Sequence, residues 1–113
     1  MRLFEGRINK YNETGALVHF VPEGMALVSP VVFKHYASTL TVDAQRINEL
    51  GMQVQKAVIK AGWHLEGANR QNIVKYAVRK GEQEVSRLSA VVLEMPSRWV
   101  QPVPPSNPVL KLL

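Results

Sequence analysis

In the stretch "VHFVPEGMALVSPVVFKHY", Val18 to Tyr36, two short apolar runs lie on either side of a turn. The apolar residues that follow them recur at a different spacing. Both runs contain the β-branched and aromatic residues that strands favour. Between them, Pro22 presets its own φ and Gly24 accepts a positive φ, as a tight turn requires. We therefore predict a small antiparallel hairpin early in the chain.

A short helix is predicted directly after this hairpin. Ser29 and Pro30 indicate a helix start, because a serine hydroxyl can cap free N–H groups and proline fits the first helical position. Val32, Phe33 and Tyr36 then recur at helical spacing, and the turn-forming residues that follow end the helix. The hairpin should therefore lead straight into the helical part of the domain.

A longer helix is predicted between Val42 and Ala61. Its apolar residues recur in steps of three and four, which is typical of a helix with one buried face. These residues are Ile47, Leu50, Val54, Val58 and Ala61. Gly51 costs this helix about 1 kcal/mol relative to alanine, so it predicts either a kink or a split into two helices. Gly62 is a natural stop.

After Trp63 the pattern of apolar residues changes from that of a helix to that of strands. "NIVKYAV" and "VSRLSAVVLEM" predict two strands joined by the polar turn "RKGEQE", so a second, longer hairpin is expected over Asn72–Met95. Residues 96–113 are rich in proline, which predicts an extended tail that is partly packed on the domain. The first residues, "MRLFEGR", are compatible with the last turn of a helix cut off from a larger protein upstream.

The elements therefore follow the order helix end, hairpin, helix, long helix and hairpin. This is the order of a winged helix, in which a strand precedes the presented helix and the last hairpin forms the wing. We predict an α+β, winged-helix-like domain over residues 1–95, with a small antiparallel sheet that includes the wing, and residues 96–113 as its tail.

Composition and charge narrow the function classes. The chain of 113 residues carries a formal net charge of +5, which favours nucleic acid as a partner, with acidic membrane surfaces as a rival. No apolar run approaches the ~20 residues that a membrane helix needs. The absence of cysteine excludes disulfides and thiolate metal sites. We expect a cytoplasmic protein without a membrane partner.

Four stretches of the chain together resemble one known family. They are "GALVHFVPEGMALVSPVVFKHYA", "VQKAVIKAGWH", "NIVKYAV" and "PPSNPVLKLL". In this order and spacing they resemble the C-terminal domain of TraI-type conjugative relaxases, the nickase/helicase family of integrating conjugative elements. The resemblance extends over nearly the whole chain. It implies a bacterial protein with a winged-helix-like fold and a role in DNA mobilisation beside a separate catalytic domain.

A winged helix that binds DNA usually lays its presented helix in the major groove and its wing along the backbone. On the long helix, the face away from the apolar stripe carries residues that can read adenine edges or neutralise phosphates. They are Gln45, Arg46, Gln53, Gln55, Lys56 and Lys60. Lys75 and Arg79 lie four apart on one predicted strand, so they should point the same way. The residues predicted to bind DNA are Gln53, Lys56, Lys60, Lys75, Arg79, Lys80 and Arg87.

No catalytic or metal-binding pattern is present in the sequence. The three histidines lie far apart and in no metal-ligand frame, and no glycine-rich phosphate loop occurs. The tyrosines lack the histidine cluster that a relaxase nucleophile requires. We therefore expect a non-catalytic domain with no cofactor and no metal. Trp63 and Trp99 are expected to be packing residues, with stacking on single-stranded DNA as the alternative.

Two functions remain open from the sequence. The preferred one is a DNA-binding module that positions a relaxase, with the basic sides of the long helix and second hairpin forming one outer surface. The alternative is a protein-interaction module that recruits other relaxosome proteins, with an incidental basic face. The fold class does not decide between them. Glu82 and Glu84 in the predicted wing turn oppose phosphate contact at that point.

Overall fold

The structure is a computed structural model that describes residues 11–13 and 15–113. In chain order its elements are β1 (Val18–Val21), β2 (Gly24–Val28), α1 (Val31–Ser38), α2 (Ala44–Lys60), β3 (Val74–Lys80), β4 (Gln83–Leu93) and β5 (Leu110–Leu112). The helix end predicted for the first seven residues lies outside the described residues. No helix in the described part of the chain combines the length and apolar character needed to cross a bilayer.

The first hairpin has the predicted turn, and a neighbouring strand requires its glycine. Val21 pairs with Gly24 across Pro22 and Glu23. Gly24 has a φ of +148°, and a Cβ at this position would overlap the carbonyl oxygen of Leu93 in β4. Glycine therefore serves the turn and also allows β4 to approach the hairpin closely.

The helix α1 begins after Ser29 and Pro30, as predicted, but it has no serine cap. Pro30 occupies the N-cap position, and no side chain caps the helix. The hydroxyl of Ser29 instead donates a hydrogen bond of 2.6 Å to Oε1 of Gln55 in α2. The capping prediction was wrong because an acceptor from a different helix binds this hydroxyl.

The helix α2 runs without interruption through Gly51, so the predicted split does not occur. The Asp43 carboxylate accepts hydrogen bonds from two backbone N–H groups of the first turn. Gly51 is buried, and a Cβ there would lie 3.2–3.3 Å from atoms of Lys34 in α1. The glycine therefore allows the two helices to approach closely. The predicted apolar stripe is only partly buried, since Val58 is buried while Ala61 is exposed.

The five strands form one antiparallel sheet in the order β1-β2-β4-β3-β5. The predicted second hairpin is present as β3 and β4, joined at Gly81 and Glu82. β4 is central, because it pairs with β2 on one side and with β3 on the other. β5 comes from the C-terminal tail and pairs with the outer edge of β3.

The C-terminal segment is hydrogen-bonded to β1 at one end of the curled sheet and to β3 near the other. The backbone N–H of Asn107 donates to the carbonyl of Phe20 in β1 at 2.7 Å, and that of Arg79 in β3 donates to Val109 at 2.7 Å. The side chain of Asn12 also donates to the carbonyl of Pro105 at 2.7 Å. These bonds connect the proline-rich tail to β1, to β3 and to Asn12.

Apolar side chains cover both faces of the sheet. One face packs against α1 and against Val58 of α2, and its largest buried side chains are Phe20, Met25, Leu27, Val91 and Leu93. The opposite face buries a second cluster around Tyr76, which includes Val92 and Leu110. The Tyr76 hydroxyl donates a hydrogen bond of 2.8 Å to the carboxylate of Glu23, which satisfies the one polar atom of this buried ring.

A buried polar pair lies where the tail meets β1. His19 and Asn107 are 5% and 4% exposed, and Nδ2 of Asn107 lies 3.2 Å from Nδ1 of His19. The carboxamide oxygen of Asn107 accepts the N–H of Val109 at 3.1 Å. Burial is the main influence on the imidazole and lowers the pKa of His19 from its ordinary value of 6.5.

We expect this histidine to make the fold sensitive to acid. The unfolded chain protonates His19 near pH 6.5, whereas the folded chain resists protonation. Its contribution to stability is therefore complete above pH 6.5 and is lost as the pH falls towards the lowered pKa. Each pKa unit corresponds to about 1.4 kcal/mol. Urea midpoints of His19→Gln should change less between pH 7 and pH 5 than those of the parent chain or of the exposed-site control His35→Gln. If the urea midpoint changes equally between pH 7 and pH 5 in the parent chain and in both variants, His19 does not have this role.

The α+β class is as predicted, but a winged helix specifically is not confirmed. The described residues contain two α-helices, and a third α-helix, which a winged helix requires, is not among them. β2 pairs only with Ala90–Leu93 of β4, so the outer half of the β3–β4 hairpin extends past β2. The inner half is part of the sheet, because strands flank it on both sides.

Candidate nucleic-acid interface

The outward face of α2 carries three of the predicted DNA-binding residues: Gln53, Lys56 and Lys60 are all exposed. They follow one another in steps of three and four, so they lie on one side of the helix. The exposed side chain of Glu49 lies on the same side, four residues before Gln53. We call these four residues the helix face. Gln55, predicted to lie there too, is half-buried and bonded to Ser29 instead.

A second group of basic residues lies on β3, β4 and β5. Lys75 pairs with Ser89, and Ala77 lies between Arg87 of β4 and Lys111 of β5. Residues directly opposite each other in an antiparallel sheet point to the same side, and so do residues two apart on a strand. Lys75, Arg87 and Lys111 therefore share one side of the sheet, and we call them the sheet cations.

The sheet cations lie on the side of the sheet where the helices pack. Ser89, the partner of Lys75, is two residues from Val91, which belongs to the helix-side core. The backbone N–H of Ser29 donates to the carbonyl of Ser89 at 2.9 Å, and the Ser29 hydroxyl donates to Gln55 of α2 at 2.6 Å. Two hydrogen bonds thus connect the strand position opposite Lys75 with α2.

Fewer basic side chains of the second hairpin are available to contact phosphate than the sequence predicted. Arg79 is half-buried, and its Nη2 donates to the carbonyl of Glu82 at 2.9 Å. Arg87 forms an ion pair of 2.8 Å with Glu84, and the hydrogen bond to this carboxylate raises the pKa of Arg87. Lys80 is exposed. The carboxylate of Glu84 and the backbone carbonyl of Glu82 therefore engage two of the predicted arginines.

Most of the remaining basic charge faces solvent. Across residues 11–13 and 15–113, the pair between Arg87 and Glu84 is the single ion pair of the structure. Lys56, Lys60, Lys75 and Lys111 are exposed lysines outside that pair. Phosphates can therefore approach these ammonium groups without first displacing a carboxylate of the described residues.

Sequence reasoning missed Lys111. This residue is next to the sheet cations of β3 and β4 only because β5 pairs with β3 over Tyr76–Val78. The two segments are far apart in the chain, and no local period or turn signal predicts their pairing. The sequence signal available was the apolar run that surrounds Lys111, which indicated at most a tail packed on the core.

A cleft of ≈ 610 Å³ lies between β1, β4 and the C-terminal segment. Its polar lining includes His19, Ser86, Arg87 and Asn107, and most other lining residues are apolar. Of the predicted DNA-binding residues it contains Arg87, whereas the lysines of the helix face and Lys75 lie elsewhere. The cleft therefore overlaps the sheet cations at Arg87 and does not include the helix face.

The potential metal ligands and the buried tyrosine of the described residues bear on catalysis. No group of three or more His, Cys, Asp or Glu within them is placed to hold a metal ion. Tyr76 is fully buried, and burial together with Glu23 raises the pKa of its phenol well above the ordinary range. A phenol in that setting is a poor nucleophile, because it stays protonated and has no path to a substrate.

A family model matches residues 2–112 of the chain, and its description is "Putative conjugal transfer nickase/helicase TraI C-term". The chain belongs to this family. The match confirms the resemblance seen in the sequence. The TraI C-terminal domain is thus the C-terminal part of proteins that are described as conjugal transfer nickases and helicases.

The fold of this TraI C-terminal domain is similar to that of a solved structure. The crystal structure of the C-terminal domain of the Salmonella enterica protein STY4665, assigned to DUF1528, superposes with a TM-score of 0.72 at 22% sequence identity. The alignment covers 99% of this chain and 87% of that chain. At this identity the likeness shows the fold alone. No curated protein matches the chain.

Proposed function

We propose that this TraI C-terminal domain is a non-catalytic DNA-binding module that positions a conjugative relaxase on DNA. The observation that carries the proposal is a set of exposed lysines that have no carboxylate partner among the described residues: Lys56 and Lys60 on the helix face, and Lys75 and Lys111 among the sheet cations. Membership of a conjugal transfer family supplies the DNA context. A module that binds the transferred DNA acts in the bacterial cytoplasm.

The helix face has the chemistry for a groove contact. Gln53 can donate to and accept from an adenine edge, while Lys56 and Lys60 on the following turns can neutralise flanking phosphates. The outer half of the β3–β4 hairpin extends past β2 and presents Lys80 at its tip. In the proposed complex this tip has the role of a wing and lies along the phosphate backbone, as in winged-helix proteins.

A titration of the domain with a labelled DNA duplex at low and moderate salt tests the proposal. If about four phosphates are neutralised, the logarithm of the binding constant should fall with the logarithm of salt concentration with a slope near −4. Binding that hardly depends on salt would exclude the lysine contacts. The absence of any binding at low salt would contradict the proposed function.

A protein-interaction module that recruits relaxosome proteins remains the second candidate, favoured by exposed apolar side chains. Leu40 and Val42, in the connection between the helices, are 58% and 99% exposed, and Met52 on α2 is 61% exposed. Exposed apolar groups of this kind contribute to protein contacts when they form a patch. A pull-down of purified relaxosome proteins that is lost in the Leu40→Ser, Val42→Ser double variant and kept in Lys56→Gln would favour this candidate.

A further inference from the structure

An aromatic and cationic cluster lies directly beyond the C-terminal end of α2. Trp63 follows the turn at Gly62, and this residue is exposed. Cζ of Arg98 lies 5.4 Å from the centroid of the Trp63 ring. The ring of Trp99 lies 5.6 Å from it, centroid to centroid, at an interplanar angle of 53°. We call Trp63, Arg98 and Trp99 the tryptophan cluster.

The backbone beneath the cluster is firmly held. The carbonyl of Trp63 accepts the N–H of Glu94 at 2.9 Å, and the adjacent His64 forms a bridge with Leu93 of β4. Trp99 packs against the helix-side core. Trp63 is therefore fixed to the end of the sheet by its backbone, while the residue as a whole remains 47% exposed.

We propose that Trp63 is a stacking site for an unpaired nucleobase, so that the domain prefers single-stranded to duplex DNA. Every base offers a π face to an indole, whereas the interior of a duplex offers none. Arg98 over the ring, and Lys60 three residues before Trp63, supply positive charge for the flanking phosphates. This inference rests on the proposed function, because a strand preference presupposes DNA binding.

Tryptophan fluorescence reports this site directly, because the chain has two tryptophans and both lie in the cluster. A Trp99→Phe variant leaves Trp63 as the single indole. We expect a saturating single-stranded oligonucleotide to quench the emission of Trp63, because a stacked base deactivates the excited indole without emission. A blunt duplex of the same sequence should bind with much weaker quenching.

Variants of Trp63 separate stacking from general electrostatics. Loss of one stacked base corresponds to about tenfold weaker binding, so Trp63→Ala should weaken single-strand binding by that factor while changing duplex binding less than twofold. Trp63→Phe should retain most of the affinity, since it keeps an aromatic face. Arg98→Gln, a change at an exposed position, should also weaken single-strand binding more than duplex binding. Circular dichroism and thermal midpoints establish that each variant is folded.

The outcomes distinguish the two proposals. If duplex binding depends steeply on salt but Trp63 is not quenched, or if Trp63→Ala weakens both DNA forms equally, the stacking inference is wrong and the proposed function stands. If neither DNA form binds at low salt, both are wrong. Strong quenching by the single strand together with a strand-specific loss in Trp63→Ala supports both.

Discussion

Replacing Lys56 and Lys60 together with glutamine should weaken DNA binding by about tenfold or more at moderate salt and reduce the salt slope by about two. The two side chains lie one turn apart on the exposed side of α2, so the same strand of DNA can meet both. Neither takes part in an ion pair of the described residues, and the fold should therefore tolerate the change. Anisotropy titrations at several salt concentrations, with thermal midpoints alongside, measure both effects.

Glu49 offers a control of opposite sign on the same helix face. Its carboxylate is exposed and lies four residues before Gln53, so it should repel phosphates that approach the lysines. Glu49→Gln should therefore strengthen binding, whereas Lys56→Gln weakens it. If both substitutions have the same sign, or if neither changes the salt slope, α2 does not face the DNA.

Gly24→Ala should lower the free energy of unfolding by about 3 kcal/mol or more. A non-glycine residue at a disfavoured φ costs about 1–3 kcal/mol, and Gly24 has a φ of +148°. The added methyl would also overlap the carbonyl oxygen of Leu93, which is a backbone atom of the central strand and cannot rotate away. The loss is a large share of the 5–15 kcal/mol that stabilises a typical domain. Urea denaturation followed by circular dichroism measures it.

Gly81→Ala is the matched control, because it tests the positive φ without the clash. Gly81 in the β3–β4 turn has a φ of +66°, and nothing lies within 4 Å of the position that a Cβ would occupy. Left-handed backbone at a non-glycine residue costs about 1–2 kcal/mol, so this variant should stay folded. If both variants lose the same free energy of unfolding, β4 does not approach the first hairpin as closely as described.

The elements that local chemistry specifies were predictable from the sequence. The turn at Pro22 to Gly24 and the polar turn after Lys80 each join two apolar runs, so both hairpins followed from turn residues and strand composition. The long helix followed from its period of three and four. The same period placed Gln53, Lys56 and Lys60 on the exposed side, because a helix with one buried stripe leaves its opposite side in water.

What remained hidden depends on contacts between distant segments. The hydroxyl of Ser29 bonds Gln55 rather than capping α1, and Gln55 is half-buried rather than on the outward face. Gly51 allows close helix packing rather than a kink, which becomes clear only when Lys34 is beside it. β5 and Lys111 join the sheet through a pairing that no turn or period encodes.

The sequence identified the basic residues of the second hairpin but did not predict which groups they bond. Four-residue spacing on β3 suggested that Lys75 and Arg79 act alike, yet Arg79 bonds the carbonyl of Glu82 in the turn. A register shift between Val78 and Arg79 changes the pairing there. The spacing of residues along a strand predicts which side of the sheet they occupy. The backbone geometry of the turn decides which basic side chains have a hydrogen-bond partner within the protein.

Amide chemical-shift mapping of the isotope-labelled domain during titration with a DNA oligonucleotide tests the central claim most directly. We expect the largest shifts at Gln53, Lys56 and Lys60 on the helix face and at Lys75 and Lys111 among the sheet cations, all reversed by added salt. Shifts confined to the region of Leu40 and Val42, or no shifts at low salt, would show that the helix face and the sheet cations do not bind DNA.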